Sequence, residues 1–187
     1  MGSVFGNKLK ISLFGESHGS GLGVVIDNFP YGIKIDFPEV EREMQRRRPG
    51  GKYATKRNET DAFEVLSGIC NGFTTGAPIC AIIRNENTKS KDYSIFKDIP
   101  RPSHSDYPAS VKYGGFNDIR GGGHFSARVT APLVFAGALA KQALKAHGIT
   151  VCAHLLSVKD IYDDSFSAFK NEDYEKISYK EFPVLND

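Results

Sequence analysis

The glycines of this chain are gathered in a few short segments, and they divide it into short apolar runs. There are 19 glycines among 187 residues. Two runs rich in Val, Ile and Phe, residues 8–14 and 22–29, flank the segment GESHGSG, a pattern typical of two strands around an ordered loop. Two further strands are predicted at AFEVLSG (62–68) and PICAIIRN (78–85), joined by a TTG turn. Strands mixed with helical patterns indicate an α/β or α+β fold.

The first predicted helix begins after a capping signal and ends at the sequence RPGG. Asp36 followed by Glu39, with a proline in the first turn, marks the start of PEVEREMQRRR. At helical spacing Val40, Met44 and Arg47 share one face.

A second helix is predicted from residue 126 to residue 147, because an alanine-rich, apolar-periodic run there ends at a glycine. We expect Pro132 to kink its first turns. Residues 150–158 predict one more strand, and the remaining residues are charged and aperiodic, without a packing pattern. The polar, Pro- and Gly-rich stretch 85–123 is too long for an ordinary connection and predicts a functional loop.

Charge and cysteine content exclude several classes of protein. The 24 basic and 22 acidic side chains leave a net charge of +2, which argues against a polybasic nucleic-acid binder. Cys70, Cys80 and Cys152 have no zinc-site spacing, so buried reduced thiols and no metal are expected. The longest apolar stretch, 129–140, is too short to span a membrane, and we expect a soluble cytoplasmic protein.

The GESHG segment places His18 on a glycine-flanked loop. Glycine permits close approach of a ligand, and histidine is the side chain most easily poised to donate a proton near neutral pH. The alternative is a histidine that hydrogen-bonds its own loop. A serine-hydrolase elbow at Ser17, with His104 as base, fits less well because a strand follows where that motif requires a helix.

The RRRPG segment places Arg47 on the apolar face of the first helix, where an inward guanidinium requires an anion. Lys52 and Arg57 follow closely, so a carboxylate or phosphate ligand is the predicted counter-charge. The alternative is a solvated cluster that interacts favourably with the helix C-terminus.

Two further motifs lie in the long loop and at its end. RPSHSDY carries His104 two residues before Asp106, which could orient the imidazole or simply form a turn. DIRGGGHFSAR runs three glycines into a helix start, where backbone N–H groups attract phosphate; a plain glycine turn capped by Ser126 is the alternative. Together the four motifs predict a site for polyanionic ligands.

The segments GESHGSGLGVVIDNFP, RRRPG, RPSHSDYPASVKYG and DIRGGGHFSARVTA, in this order, resemble the motifs of the chorismate synthase family over residues 5–157. The resemblance implies an α+β fold, half of a β-α-β sandwich with an antiparallel sheet packed on helices, in residues 1–157. Residues 158–187 would be a polar connection or truncated tail. It also implies conversion of 5-enolpyruvylshikimate 3-phosphate to chorismate by 1,4-elimination of phosphate, with reduced FMN as cofactor and NADPH as its possible reductant.

The resemblance also implies roles for individual residues. His18 would be the general acid at the departing phosphate, and His104 would protonate or stabilise the reduced flavin. The remaining roles are substrate binding by Arg47, Lys52 and Arg128, and FMN binding by His124, Phe125 and Ser126.

This chain departs from the family pattern in length and at one motif. The family commonly has arginine and serine where His124 and Phe125 stand, and its second half carries an RHDP-type motif that this sequence lacks. We therefore expect an N-terminal half of the family's length. The family is a homotetramer, so a homo-oligomer is expected; the alternative function is a truncated, non-catalytic anion-binding fragment of the same fold.

Overall fold

The computed structural model describes residues 3–48, 59–86, 90–165, 171–180 and 182–186. The chain forms two compact units, Met1–Gln142 and Ala143–Asp187. The division at residue 157 that the resemblance implies stays a prediction.

The first unit is built on a five-stranded antiparallel sheet in the order β1-β2-β3-β7-β4. Its strands are β1 (Val4–Phe5), β2 (Lys10–Gly15), β3 (Gly21–Asp27), β4 (Phe63–Ser67) and β7 (Ile79–Arg84). The four predicted strands of this region are therefore confirmed.

Alternation along the central strands creates the core face of the sheet. Side chains two residues apart point to the same face, and on β3 and β7 those positions are apolar and almost fully buried. The pairing register sets them opposite one another: Leu22 against Ile83, Val24 against Ala81, and Ile26 against Ile79. A shift by one residue would turn these side chains to the other face, so the pattern fixes the register.

Helix α1 (Phe37–Arg47) begins where the capping signal predicts. The Asp36 carboxylate accepts a hydrogen bond from the Glu39 N–H at 3.4 Å and so satisfies one free donor of the first turn. Val40 and Met44 are buried, as their spacing predicts.

Helix α3 (Thr130–Lys145) follows a 3-10 turn, Ala127–Val129. Pro132 is the third residue of α3, where a backbone N–H has no intrahelical acceptor, so its ring replaces no hydrogen bond and α3 continues unbroken for 16 residues. Phe135 of α3 packs on Phe63 of β4, with ring centroids 5.0 Å apart, and Phe63 also stacks on Phe37 of α1 at 6.3 Å. The sheet thus packs on both helices, and the α+β class with an antiparallel sheet is confirmed.

The stretch from residue 85 to residue 123 contains more regular structure than the sequence predicts. It holds α2 (Asp106–Tyr113) and the 3-10 segment Ser90–Lys97. Residues 120–125 form a turn that is interrupted by the non-helical backbone of Gly121, Gly122 and Gly123. Helix α2 buries just two of its residues, so it has no apolar periodicity that would have revealed it. A small hairpin, β5 (Ile69–Cys70) with β6 (Phe73–Thr74), likewise replaces part of the turn predicted between β4 and β7.

The second unit contains β8 (Ser157–Val158), β9 (Ile161–Tyr162) and α4 (Asn171–Tyr179). The strand predicted over residues 150–158 was wrong except for its last two residues, because within the described residues 150–156 have no ladder partner. Although the sequence after residue 158 shows no packing pattern, Ile177 of α4 is buried.

The three cysteines are free thiols, as predicted, but Cys70 is exposed and the other two are half-buried, so their expected burial was wrong. Within the described residues, no helix is both long and apolar enough to cross a bilayer.

Candidate functional site

The GESHG segment forms a tight turn between β2 and β3. The Gly19 N–H donates to the Glu16 carbonyl at 3.1 Å, and the Ser17 N–H donates to the Gly123 carbonyl at 3.0 Å. His18 is 93% buried, since its relative exposure is 7%. Ser17 is fully buried, whereas the nucleophile of an elbow motif needs an exposed hydroxyl, so the arrangement speaks against the hydrolase alternative.

The glycine segment presses its backbone against this turn. Gly121 has φ +58°, and a Cβ on it would lie 2.6 Å from Cδ2 and 2.7 Å from Nε2 of His18. No side chain could occupy that space, so glycine is required for the close approach. On another side the His18 ring meets the Tyr93 ring edge to face, with centroids 4.9 Å apart. His18 is therefore held by two chain segments far from it in sequence.

A cleft of about 380 Å³ opens where these segments meet. Aromatic, cationic, hydroxyl and glycine groups line it, including Tyr93, Arg101, His104, Gly121, Phe125 and Ser126. Three of the eight predicted site residues, His104, Phe125 and Ser126, thus line one cleft, and a fourth, His18, lies against Gly121 and Tyr93 of its lining.

His104 is an exposed residue of the cleft, and its Nδ1 donates to the Pro102 carbonyl at 3.0 Å. In the neutral ring that leaves Nε2 as the acceptor nitrogen. Asp106 does not bond to this ring; it accepts from Nε and Nη2 of Arg101, at 2.8 and 2.9 Å. The hydrogen bond from Arg101 lowers the pKa of Asp106, with the charge of the neighbouring histidine a minor contribution. The suggestion that Asp106 orients His104 directly was therefore wrong: it closes the loop that carries His104.

The three consecutive residues His124, Phe125 and Ser126 have different surroundings: His124 is bonded to protein oxygens, whereas Phe125 and Ser126 line the cleft. His124 is held by protein oxygens at both ring nitrogens, with Nδ1 2.8 Å from the Gly15 carbonyl and Nε2 2.6 Å from the Ser3 hydroxyl. Phe125 is 45% exposed. The Ser126 hydroxyl accepts from the Arg128 N–H at 3.3 Å and so caps the turn that leads into α3. A role of His124 in FMN binding stays a prediction, and it would require one of these bonds to break.

Arg47 and Arg128 meet at a carboxylate of the chain itself. Asp61 accepts from the guanidinium groups of both, and Glu59 lies 3.6 Å from Arg128 Nη2. These four residues form what we call the Asp61 cluster. The inward Arg47 thus has an anion within the chain itself, the carboxylate of Asp61. Substrate binding by Arg47 and Arg128 stays a prediction, while Lys52 lies outside the described residues.

Asn85 connects the turn that carries His18 to the Asp61 cluster. Its Nδ2 donates to the carbonyls of Glu16 and Gly19, and its Oδ1 accepts from Nε of Arg128 at 3.2 Å. Sequence reasoning missed Asn85, as it missed Asp61 and Tyr93, because no local pattern marks a residue whose contacts are made with other segments of the chain. Asn85 and Asp61 bond to Arg128 from 43 and 67 positions away, Asp61 bonds to Arg47 from 14 positions away, and Tyr93 contacts His18.

Asp118 and Arg120, which directly precede the glycine segment, form an ion pair. Asp118 accepts from Arg120, with Nη2 2.7 Å from its carboxylate. This hydrogen bond lowers the pKa of Asp118. Within the described residues, no group of three or more His, Cys, Asp or Glu side chains could hold a metal ion.

Comparison with known proteins identifies the family. The chorismate synthase family model matches residues 9–184. A chorismate synthase from Thermococcus kodakarensis is 48% identical over 150 residues, which cover 80% of this chain and 42% of that protein. One from Aliarcobacter butzleri is 44% identical over 185 residues, or 98% of this chain and 50% of that protein.

A crystal structure of chorismate synthase matches the fold with a TM-score of 0.68 and 28% identity, over 96% of this chain and 49% of that one. The chain thus spans about half the length of the relatives that it matches. With the four motifs in order and the family match extending over nearly the whole sequence, the chain belongs to the chorismate synthase family.

Proposed function

We propose that this chain takes part in the conversion of 5-enolpyruvylshikimate 3-phosphate to chorismate and phosphate, with reduced FMN as cofactor. The observation that carries the proposal is the single cleft that brings His104, Phe125 and Ser126 together, with His18 held against its Gly121. Acid groups and anion-binding groups around one cavity are what a phosphate elimination requires.

The residues of the cleft suit a flavin mononucleotide. Tyr93 and Phe125 offer aromatic surface, while Arg101 and the capped helix start at Ser126 offer positive charge or N–H donors for a phosphate. Gly122 lines the cleft without a side chain, and a Cβ on it would meet nothing closer than Ser126 Cβ at 3.8 Å, so its backbone is open to close approach. When bound, reduced FMN would supply a transient electron to the substrate and so assist loss of phosphate.

Two histidines of the chain would donate protons during the reaction. In the 1,4-elimination the C–O bond breaks and its electron pair leaves with the phosphate. The ring C–H bond also breaks, its electron pair remains in the diene of the product, and its hydrogen leaves the cleft to solvent as a proton. His18 would donate a proton to the departing phosphate oxygen, and its burial would keep bulk water away from that transfer. His104, on the exposed side, would hold or deliver a proton to the reduced cofactor through Nε2, the nitrogen not bonded to Pro102.

Substrate anions would be drawn to the arginines of the Asp61 cluster and to Lys52. A carboxylate or phosphate could share Arg47 with Asp61, because the Arg47 side chain retains 16% exposure while that of Arg128 retains 3%. Reduction of the flavin by NADPH, assembly as a homotetramer, a cytoplasmic location and independence from nucleic acid belong to this same proposal.

A second candidate is an anion-binding fragment without turnover. It is favoured by the Asp61 cluster, in which two acidic groups already balance the two arginines that substrate binding would need, while Arg101 and Ser126 still line the cleft where an anion could bind.

An anaerobic titration separates these candidates. The chain is mixed with reduced FMN and 5-enolpyruvylshikimate 3-phosphate, and the flavin spectrum and chorismate absorbance are followed. We expect a perturbed flavin spectrum with chorismate formation, and a loss of about 100-fold or more in rate for His18→Ala. His147→Ala, at an exposed histidine, is the matched control. A perturbed spectrum without product supports the second candidate, and no perturbation contradicts both.

A further inference from the structure

Asn85 lies directly after β7 and uses every hydrogen-bonding atom of its side chain. Nδ2 donates to the Glu16 carbonyl at 3.0 Å and to the Gly19 carbonyl at 2.9 Å. Oδ1 accepts from Nε of Arg128 at 3.2 Å. One amide therefore bonds both to the GESHG turn, which precedes it in the sequence, and to Arg128 of the DIRGGGHFSAR motif, which follows it.

The partners fix the orientation of this amide. Backbone carbonyls only accept hydrogen bonds and a guanidinium only donates them. A flipped amide would set Oδ1 against the carbonyls of Glu16 and Gly19 and its NH₂ group against Arg128, so all three bonds would become repulsive contacts. The amide is thus suited to these two neighbours in one orientation only.

The two bonds to carbonyls hold the His18 turn at both ends. Glu16 and Gly19 flank the pair that carries the imidazole, and the Gly19 N–H also closes the turn on the Glu16 carbonyl. The Asn85 N–H adds a bond to the Ser20 carbonyl at 3.3 Å. With the glycine backbone packed against the His18 ring, a small shift of this turn would move the ring.

We propose that Asn85 is a positioning residue that couples the His18 turn to the Asp61 cluster through Arg128. The coupling fixes the position of the proton donor relative to the anion-attracting arginines. A phosphate group that binds to the arginines would therefore lie at a fixed distance from His18. This inference rests on the proposed function, because it takes His18 as the acid.

The substitution Asn85→Asp tests one side of the coupling selectively. A carboxylate keeps an acceptor for Arg128 but loses both donors and faces the carbonyls of Glu16 and Gly19. The matched control is Asn28→Asp, since Asn28 Nδ2 also donates to a backbone carbonyl, that of Lys8 at 2.8 Å, on an exposed part of the sheet. Both variants carry the same change of charge.

The first readout is amide hydrogen exchange, which does not depend on activity. In Asn85→Asp we expect the amides of Ser17 and Gly19, both hydrogen-bonded within this region, to exchange at least about tenfold faster than in wild type. The ladder amides of β3 and β7 should be unchanged, and Asn28→Asp should leave all of them unchanged. Asn85→Ala, which adds no charge, should show the same selective increase.

The second readout is steady-state kinetics. Displacement of a catalytic group by about 1 Å costs on the order of 100-fold in rate, so kcat of Asn85→Asp should fall by about that factor while KM changes little. The proposal would be overturned if Asn85→Asp left the exchange rates of the Ser17 and Gly19 amides unchanged. It would also be overturned if Asn85→Asp and Asn85→Ala raised the exchange rates of the β3 and β7 amides as much as those of Ser17 and Gly19. If the wild-type chain forms no chorismate, the proposed function fails, and the exchange measurement still decides the role of Asn85.

Discussion

Neutralising Asp61 is the strongest single perturbation that the structure offers. The Asp61 side chain is fully buried between Arg47 and Arg128, and Glu59 supplies the second negative charge of the cluster. Two positive and two negative groups sum to zero. Asp61→Asn leaves a charge of +1 inside the first unit, on guanidinium groups that cannot lose their protons.

The expected cost follows from that uncompensated charge. Two unit charges about 4 Å apart attract by about 4 kcal/mol at an effective dielectric constant of about 20. Removal of one partner from a buried ion pair costs about 3–5 kcal/mol in measured cases. A domain has about 5–15 kcal/mol in total, and each kcal/mol corresponds to about 2–4 °C in Tm for a chain of this size. We therefore expect Tm to fall by about 10 °C.

Urea unfolding followed by circular dichroism measures the loss directly. The control is Glu39→Gln, which removes a partly exposed ion pair with Arg42 on the surface of α1, where the loss should be about 0.5 kcal/mol. Inorganic phosphate should stabilise Asp61→Asn more than wild type, because an anion that binds the folded form raises its stability in proportion to the logarithm of its concentration. A loss below about 1 kcal/mol in Asp61→Asn would refute the assignment of this carboxylate as the anion of both arginines.

Two further predictions concern the cleft. Gly121→Ala should displace the His18 ring, because the added Cβ would lie 2.6 Å from it. The control is Gly115→Ala, because Gly115 also has a positive φ but a Cβ on it would have no atom within 4 Å. A shift of the His18 imidazole resonances in both variants alike, or in neither, would contradict the contact. Asp106→Asn should destabilise by about 3 kcal/mol at neutral pH, because its carboxylate accepts two side-chain bonds from Arg101 and is almost fully buried. The ion pair with Arg101 lowers the pKa of Asp106 in the folded state. The stabilisation from this pair is therefore fully present at pH values above the ordinary pKa of 3.8 and is lost as the pH falls through the lower pKa of the folded state. Urea unfolding curves at several pH values should show the stabilities of wild type and variant becoming equal only in acid.

Much of the fold could be predicted because its signals are local. The run rich in Val, Ile and Phe at residues 22–29 identifies a strand, whichever strand lies beside it. The Asp36 cap acts within one helical turn, so it is legible in four consecutive residues. The glycine run 121–123 likewise identified one of the segments that line the cleft.

The partners of the charged groups could not be predicted. Nothing in the sequence near Arg128 indicates a carboxylate 67 positions earlier, and an inward Arg47 is compatible with a ligand anion as well as with Asp61. Helix α2 escaped detection because Asp106 and Ala109 are its two buried residues, so it has no apolar stripe of its own.

By itself, then, the sequence determined the strands β2, β3, β4 and β7, the two long helices and the family motifs, because strand-forming composition, helical periodicity, capping and glycine geometry act over a few residues. Only the tertiary structure decided that Asp61 joins Arg47 to Arg128, that Asn85 joins Arg128 to the His18 turn, and that Gly121 packs on the His18 ring. Such contacts depend on where chain closure brings distant segments, and many closures are compatible with one local pattern.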